Sequence, residues 1–326
     1  MTSSSVDSPH SSGTSRPGSR VIVVTGASDG IGRAAVRAFA RQGATVVMVG
    51  RNEAKTAAAA RAIMSETGSR TITWHIADLS QQHEVREVAG VLRKRHPRID
   101  VLCNNAGALF LERETTGDGL ERTFALNHLA YFTLTFELLP ALRAAARAPV
   151  TADAPARIVN VSSRAHQNAR IDLDDLQMTR RWSGWRAYCN SKLCNIWFTR
   201  ELARRLAGEP VIVHAMHPGV VSTRFASNNG RMGRFLRRVM DLRSVTPEQG
   251  ADTLVWLASG DDPQVTGTSG RYWYKRRDGS LSRAARDDDR ARMLWVHSAM
   301  LTGIDVGADA GVAVGADVGI DGIATR

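Results

Sequence analysis

Three cysteines, Cys103, Cys189 and Cys194, are all that the 326 residues carry. The number is odd and the spacing fits no metal-ligand pattern, which argues against a disulfide framework or a bound metal and for a reducing, cytoplasmic setting. No run of 18 apolar residues occurs, so no membrane-spanning helix is expected. The stretch MTSSSVDSPHSSGTSRPGSR lacks the apolar centre that a secretory signal needs. No nucleic-acid-binding motif accompanies the excess of 43 basic over 32 acidic side chains. The arginines are scattered, and the net charge of +11 reads as a basic solvated surface able to draw in a phosphorylated ligand, with no nucleic-acid partner.

What is present is enough apolar material, 43% of the chain, for a large core. Residues 1–18 read as a disordered polar tail and 301–326 as a Gly/Ala-rich low-complexity tail. Between them, over 19–300, strand-like and helix-like segments alternate with no Pro/Ser-rich linker. Strands are expected at 20–26, 44–50, 70–78, 99–107, 156–163, 211–219 and 270–277. Helices are expected at 32–43, 53–68, 82–97, as one long helix or two over 119–142, and after residue 187. The segment 143–157 reads as an exposed loop. The strands are continuous apolar runs, as when both faces are buried, and parallel neighbours need helical crossovers. The expectation is one α/β domain: a doubly wound parallel sheet of about seven strands, with helices on both faces.

The stretch TGASDGIG, residues 25–32, follows the first strand and opens a helix. Gly26 can make the tight turn, Gly30 lets a ligand approach the backbone, and Gly32 lets helix and strand pack closely. Ser28, Asp29 and Ile31 complete the loop. Free N–H groups at the helix start suit a pyrophosphate, so the loop points to a dinucleotide. The second strand ends in Gly50-Arg51-Asn52, without the carboxylate that would select NAD. Arg51 can pair with a 2′-phosphate, and Arg33 could add a second charge, so NADP(H) is favoured over NAD(H).

Tyr188 and Lys192 stand at i and i+4 in YCNSK, on one helical face. An ammonium beside a phenol favours the phenolate and is expected to lower the tyrosine pKa, giving a proton donor to a carbonyl and acceptor from an alcohol. Ser162 and Ser163 end the strand ARIVNVSS, NNAG (104–107) ends another, and Asn127 is a polar residue in an apolar helix.

With ADL at 77–79, VNVSS at 159–163 and HPGVVST at 217–223, these motifs in this order resemble the short-chain dehydrogenase/reductase family over about residues 18–300. The resemblance implies a tetrad of Asn127, Ser163, Tyr188 and Lys192. Tyr188 would be the acid/base, Lys192 would also hold the nicotinamide ribose, Asn127 would support a relay water and Ser163 would orient the carbonyl or alcohol. It further implies cofactor contacts from Asp78 and Leu79 at the adenine, from Asn105, Ala106 and Gly107, and from Pro218, Gly219, Val221 and Thr223 at the nicotinamide end. The long interval between Ser163 and Tyr188, with NVSSRAH and YCNSKLCN, is similar to the retinol dehydrogenase and WW-domain oxidoreductase group. That implies a lipophilic carbonyl or alcohol substrate and a homo-oligomer. The chain shows no WW domain and no N-terminal membrane anchor of the kind several such members carry.

Two segments, 164–187 and 224–245, are expected to shape the substrate pocket. Trp182 and Trp185 in the first would line it. In the second, Met232, Phe235, Leu236, Val239 and Met240 share a helical face that reads as a lid or as a peripheral contact with anionic lipid. His128 and His217 read as structural. The competing readings are a non-catalytic NADP(H)-binding sensor or partner-binding protein, which would not need Tyr188 with Lys192, and a lyase or epimerase, which would need a substrate-domain extension.

Overall fold

The computed structural model describes residues 19–150, 154–219 and 245–309. Val221, Thr223 and the apolar face from Met232 to Met240 lie outside the described residues.

Among the described residues eight strands form one sheet: β1 (Val21–Thr25), β2 (Thr45–Gly50), β3 (Ile72–Ile76), β4 (Val101–Asn104), β5 (Ala156–Val161), β6 (Val211–Met216), β7 (Tyr272–Tyr274) and β8 (Arg277–Asp278). Their order is β3-β2-β1-β4-β5-β6-β7-β8, parallel except for the last pair. The expected final strand is thus a short antiparallel hairpin, turning through Lys275 and Arg276 at φ 49° and 58°. Seven parallel strands and their helical crossovers make the sheet doubly wound, as expected.

Successive strand residues serve opposite faces, which explains the unbroken apolar runs. Val23, Val47, Leu102, Ile158 and Val213 pack under α3 (Gln82–Arg95), α4 (Ala130–Arg147) and α5 (Gly184–Arg205). Ile22, Val24, Val46, Met48, Cys103 and Val159 pack under α1 (Gly30–Arg41), α2 (Glu53–Thr67) and α6 (Pro247–Ser259). The helices α1, α2 and α6 start at side-chain caps. Asp29 accepts from Gly30 N–H, Asn52 accepts from Lys55 N–H, and Thr246 with Gln249 forms a capping box behind Pro247. Over α4 and α5 lies α7 (Asp288–Thr302), whose Trp295 ring sits 5.3 Å from both Phe132 and Phe136.

The stretch expected as a helix over 119–142 is divided. A short helical turn, Arg122–Phe124, leads into a wider turn at Ala125–Leu129, where Ala130 N–H donates to the Ala125 carbonyl, five residues back, before α4 begins. Such widened turns gather at functional sites, and Asn127 stands in this one. The segment 143–157 is only partly loop: α4 runs to Arg147 and β5 begins at Ala156.

β1 is flanked by β2 on one side and β4 on the other, so the chain reverses its direction of winding between β1 and β4. A crevice at the carboxyl ends of these strands is where ligands bind in such sheets.

Candidate active site

A cleft of about 860 Å³ runs along that edge. Its walls include Gly26, Ser28, Asp29, Gly30, Ile31 and Gly32 from the first loop, Asn105, Ala106 and Gly107 from the loop after β4, and Pro218 and Gly219 after β6. Two of the three glycines answer to the protein itself. Gly26 has φ 62°, and a β-carbon there would come within 2.8 Å of Ala106 Cα; one on Gly32 would meet the Gly26 carbonyl oxygen at 2.4 Å. The loop after β4 is pinned into this gap. Thr25 Oγ1 accepts from Asn105 N–H at 2.9 Å and Ala106 N–H at 3.0 Å, and Asn105 Nδ2 donates to the Thr25 carbonyl at 2.8 Å.

At one end of the cleft stand Arg51, Lys55, Asp78 and Leu79. Lys55 Nζ pairs with Asp29 Oδ2 at 2.7 Å, and Arg51 lies 3.9 Å from Asp78. Ser80 donates through both N–H and Oγ to Asp78 Oδ1. Asn52, expected to touch cofactor, is not a wall of the cleft: its amide oxygen caps α2 instead. Arg33 is not a wall either. Lys55, which sequence reasoning passed over, takes its place as the second cation; its only signal was its position one helical turn after Arg51.

At the other end Ser163, Tyr188 and Lys192 converge, with Asn127 behind them. Of the two serines, Ser162 is buried and donates to the Lys192 carbonyl at 2.6 Å, whereas Ser163 lines the cleft. Ser163 is itself held: its Oγ accepts from Ala165 N–H at 3.1 Å, and its carbonyl accepts from His166 Nδ1 at 2.8 Å. Asn127 is fully buried. Its side chain exchanges hydrogen bonds with both Ala108 backbone groups at 2.9 Å and donates to Ser191 Oγ at 3.0 Å. Lys192 Nζ donates to the Val161 carbonyl at 3.1 Å and lies 5.6 Å from the Tyr188 ring centre. Gly107 is bare where a β-carbon would meet Asn127 Oδ1 at 3.1 Å and Lys192 Nζ at 3.2 Å.

The charge balance differs from the expectation. Burial pushes the Tyr188 phenol up from its ordinary value, opposed by a hydrogen bond from Ser163. Burial pushes Lys192 down to about 7. Desolvation of the phenolate outweighs a neighbouring amine that is itself desolvated, so in this state Lys192 does not acidify Tyr188.

Trp185 and Tyr274 form the outer walls beside Tyr188. Trp185 is half exposed and stacks on Tyr188 with ring centres 6.0 Å apart. Tyr274 stacks on His217 at 4.1 Å. Trp182 does not join them, because its indole N–H donates to Glu121. His217 is buried between Tyr272 and Tyr274, and burial above all pushes its pKa down to about 4. His128 is buried against Asn195 and Ser298 in the core. His128 has the structural setting expected of it, whereas His217, also expected to be structural, is a wall of the cleft. Among the described residues no cluster of metal-ligating side chains occurs, and no helix is long and apolar enough to cross a membrane.

The family model described as short chain dehydrogenase matches residues 20–233. The chain belongs to the short-chain dehydrogenase family. Human retinol dehydrogenase 13 is 37% identical over 292 residues, covering 88% of this chain and 85% of the relative. A crystal structure of an uncharacterized protein from Mycobacterium paratuberculosis is 34% identical with a TM-score of 0.68, covering 87% of this chain and 93% of that one. Pseudomonas aeruginosa RhlG in its NADP active-site complex is 26% identical with a TM-score of 0.61, covering 78% and 95%. As a short-chain dehydrogenase of the retinol dehydrogenase group, the protein is an oxidoreductase acting on CH–OH groups.

The cleft fits the dinucleotide, NAD or NADP, that this family uses. It runs from Arg51 to Tyr188 and opens on the N-terminus of α1, and a β-carbon at Gly107 would press on Asn127 and Lys192.

Proposed function

We propose that this short-chain dehydrogenase interconverts a lipophilic carbonyl compound and its alcohol, with NADP(H) favoured over NAD(H). The observation that carries the reading is the convergence of Ser163, Tyr188 and Lys192 at one end of the cleft, backed by Asn127. A nicotinamide bound there would supply or accept the hydride.

Ser163, fixed by Ala165 and His166, orients the substrate oxygen. Tyr188 gives its proton to that oxygen during reduction and takes it back during oxidation. Burial raises the phenol pKa and the hydrogen bond from Ser163 opposes the rise; a Lys192 protonated on cofactor binding would oppose it further. Lys192 holds the nicotinamide ribose, and Asn127 keeps the loop at Ala108 in place and supports a relay water. Gly26, Ser28, Asp29, Gly30, Ile31 and Gly32 would cradle the pyrophosphate, with Asn105, Ala106 and Gly107 beside it. Asp78 and Leu79 would hold the adenine, and Pro218 and Gly219 the nicotinamide end. Arg51 and Lys55 stand where a 2′-phosphate would be recognised, which supports NADP(H); the Pseudomonas aeruginosa relative is likewise an NADP complex.

The aromatic walls Trp185 and Tyr274 support an apolar substrate, as does similarity to proteins named for retinol. The test is a panel of aldehydes, ketones and alcohols assayed with NADPH and NADH at the nicotinamide absorbance. Turnover of several apolar members, faster with NADPH, is expected; no turnover across the panel would overturn the reading.

A further inference from the structure

Charge is matched at one end of the cleft and not at the other. At the adenosine end each acid has its base, Asp29 with Lys55 and Asp78 with Arg51. At the substrate end the walls include Ser163, Arg164, Gln167, Asn168, Trp185 and Tyr274, with no carboxylate among the described residues. Lys192 donates to the Val161 carbonyl and is assigned to the nicotinamide ribose, and His217 stays neutral because burial above all depresses its pKa. Among the described residues at this end, Arg164 is the remaining cation. Among the described residues it makes no ion pair.

The place of Arg164 is well defined. It follows Ser163 directly and opens the short helical turn Arg164–Asn168. That turn is anchored on both sides by the Ala165 N–H bond to Ser163 Oγ and the His166 bond to the Ser163 carbonyl, and His166 Nε2 accepts from Ser282 N–H at 3.4 Å. The guanidinium-bearing residue is thus fixed one position from the serine that would orient the substrate oxygen. Its field reaches the buried groups behind the wall, contributing to the lowering of His217 and opposing the rise of Tyr272.

We propose that the substrate is a carbonyl compound with a flat aromatic body and a carboxylate, the carboxylate meeting Arg164 while the carbonyl reaches Ser163 and Tyr188. The proposal rests on the oxidoreductase reading and narrows its substrate class. A planar guanidinium pairs with a carboxylate through two parallel charge-assisted hydrogen bonds, stronger than neutral ones. The half-exposed Trp185 face supplies stacking surface for the body, and the Tyr274 side chain bounds it. A wholly neutral, retinol-like alcohol would use the aromatic walls and draw nothing from Arg164.

The test uses the full chain with NADPH and two matched pairs: 4-formylbenzoate against 4-formylbenzamide, and 4′-formylbiphenyl-4-carboxylate against its carboxamide. In at least one pair the carboxylate is expected to have a kcat/KM about tenfold above its amide, a gain that shrinks at high salt. Arg164→Gln should erase the difference while leaving turnover of the amide unchanged, and Arg164→Lys should keep part of it. Equal use of both members of each pair, or a carboxylate preference that survives Arg164→Gln, overturns the proposal. If neither pair is turned over, calorimetry on the NADPH-loaded protein separates the two readings. Tighter carboxylate binding that depends on Arg164 keeps the site and removes the proposed chemistry for these compounds; equal binding removes the site.

Discussion

Lys192 Nζ donates to the Val161 carbonyl at 3.1 Å while lying 5.6 Å from the centre of the Tyr188 ring. The amine is therefore tethered to the end of β5, the strand that also delivers Ser163. Burial holds its pKa near 7, so at pH 8 it is mostly neutral. Donating to a ribose hydroxyl beside an anionic pyrophosphate favours the ammonium and raises that value. NADPH binding at pH 8 is expected to take up a fraction of a proton, seen by calorimetry in two buffers of different ionisation enthalpy, and Lys192→Met should abolish the uptake. Proton release, or equal uptake in the variant, would contradict this account of Lys192.

The adjacent serines should separate cleanly. Ser163→Ala is expected to lower kcat by about 10- to 100-fold, because its hydroxyl faces the cleft and bonds to Tyr188, and to cost about 1 kcal/mol of stability through the lost bond from Ala165 N–H; Ser162→Ala should leave kcat nearly unchanged. Ser162→Ala removes the 2.6 Å bond to the Lys192 carbonyl and should cost about 1 kcal/mol of stability, read from the urea midpoint. The reverse pattern would assign the substrate contact to Ser162.

Cofactor choice rests on two cations. Arg51→Asp and Lys55→Ala are each expected to lower kcat/KM for NADPH by about tenfold while changing the NADH value little. Steady-state assays with both cofactors measure this. If Lys55→Ala leaves the preference intact, the lysine serves only to neutralise Asp29.

The hairpin between β7 and β8 puts Lys275 and Arg276 in the left-handed region at φ 49° and 58°. Side chains with a β-carbon resist that conformation by about 1 kcal/mol, and asparagine and glycine tolerate it best. Lys275→Asn or Lys275→Gly should therefore raise stability by up to about 1 kcal/mol in urea unfolding. A loss would mean that the Lys275 contact over the Tyr274 ring, at 5.4 Å, outweighs the backbone term.

Much of the site was legible because its parts are local. TGASDGIG is a single strand–turn–helix unit, and Tyr188 and Lys192 share a helical face by spacing alone. The turn at Gly26 and the close packing at Gly32 were legible as well, but not the pressure on Gly26 from the loop some 80 residues later. Lys55 looked like any exposed lysine until the start of α2, set by the Asn52 cap, brought it to Asp29. The same cap removed Asn52 from the cleft. The widened turn at Asn127 left no sequence signature, because an apolar helix and an apolar helix with one extra residue in a turn read alike. Sequence spacing placed the amine beside the phenol but carried no information on burial, which here outweighs their proximity.

The account turns on Tyr188 as the proton carrier. The most direct test is single-turnover reduction by Tyr188→Phe, with NADPH affinity measured in parallel. The account predicts a rate loss of at least about 100-fold with affinity for NADPH unchanged. A Tyr188→Phe protein that reduces its substrate within threefold of wild type would contradict it.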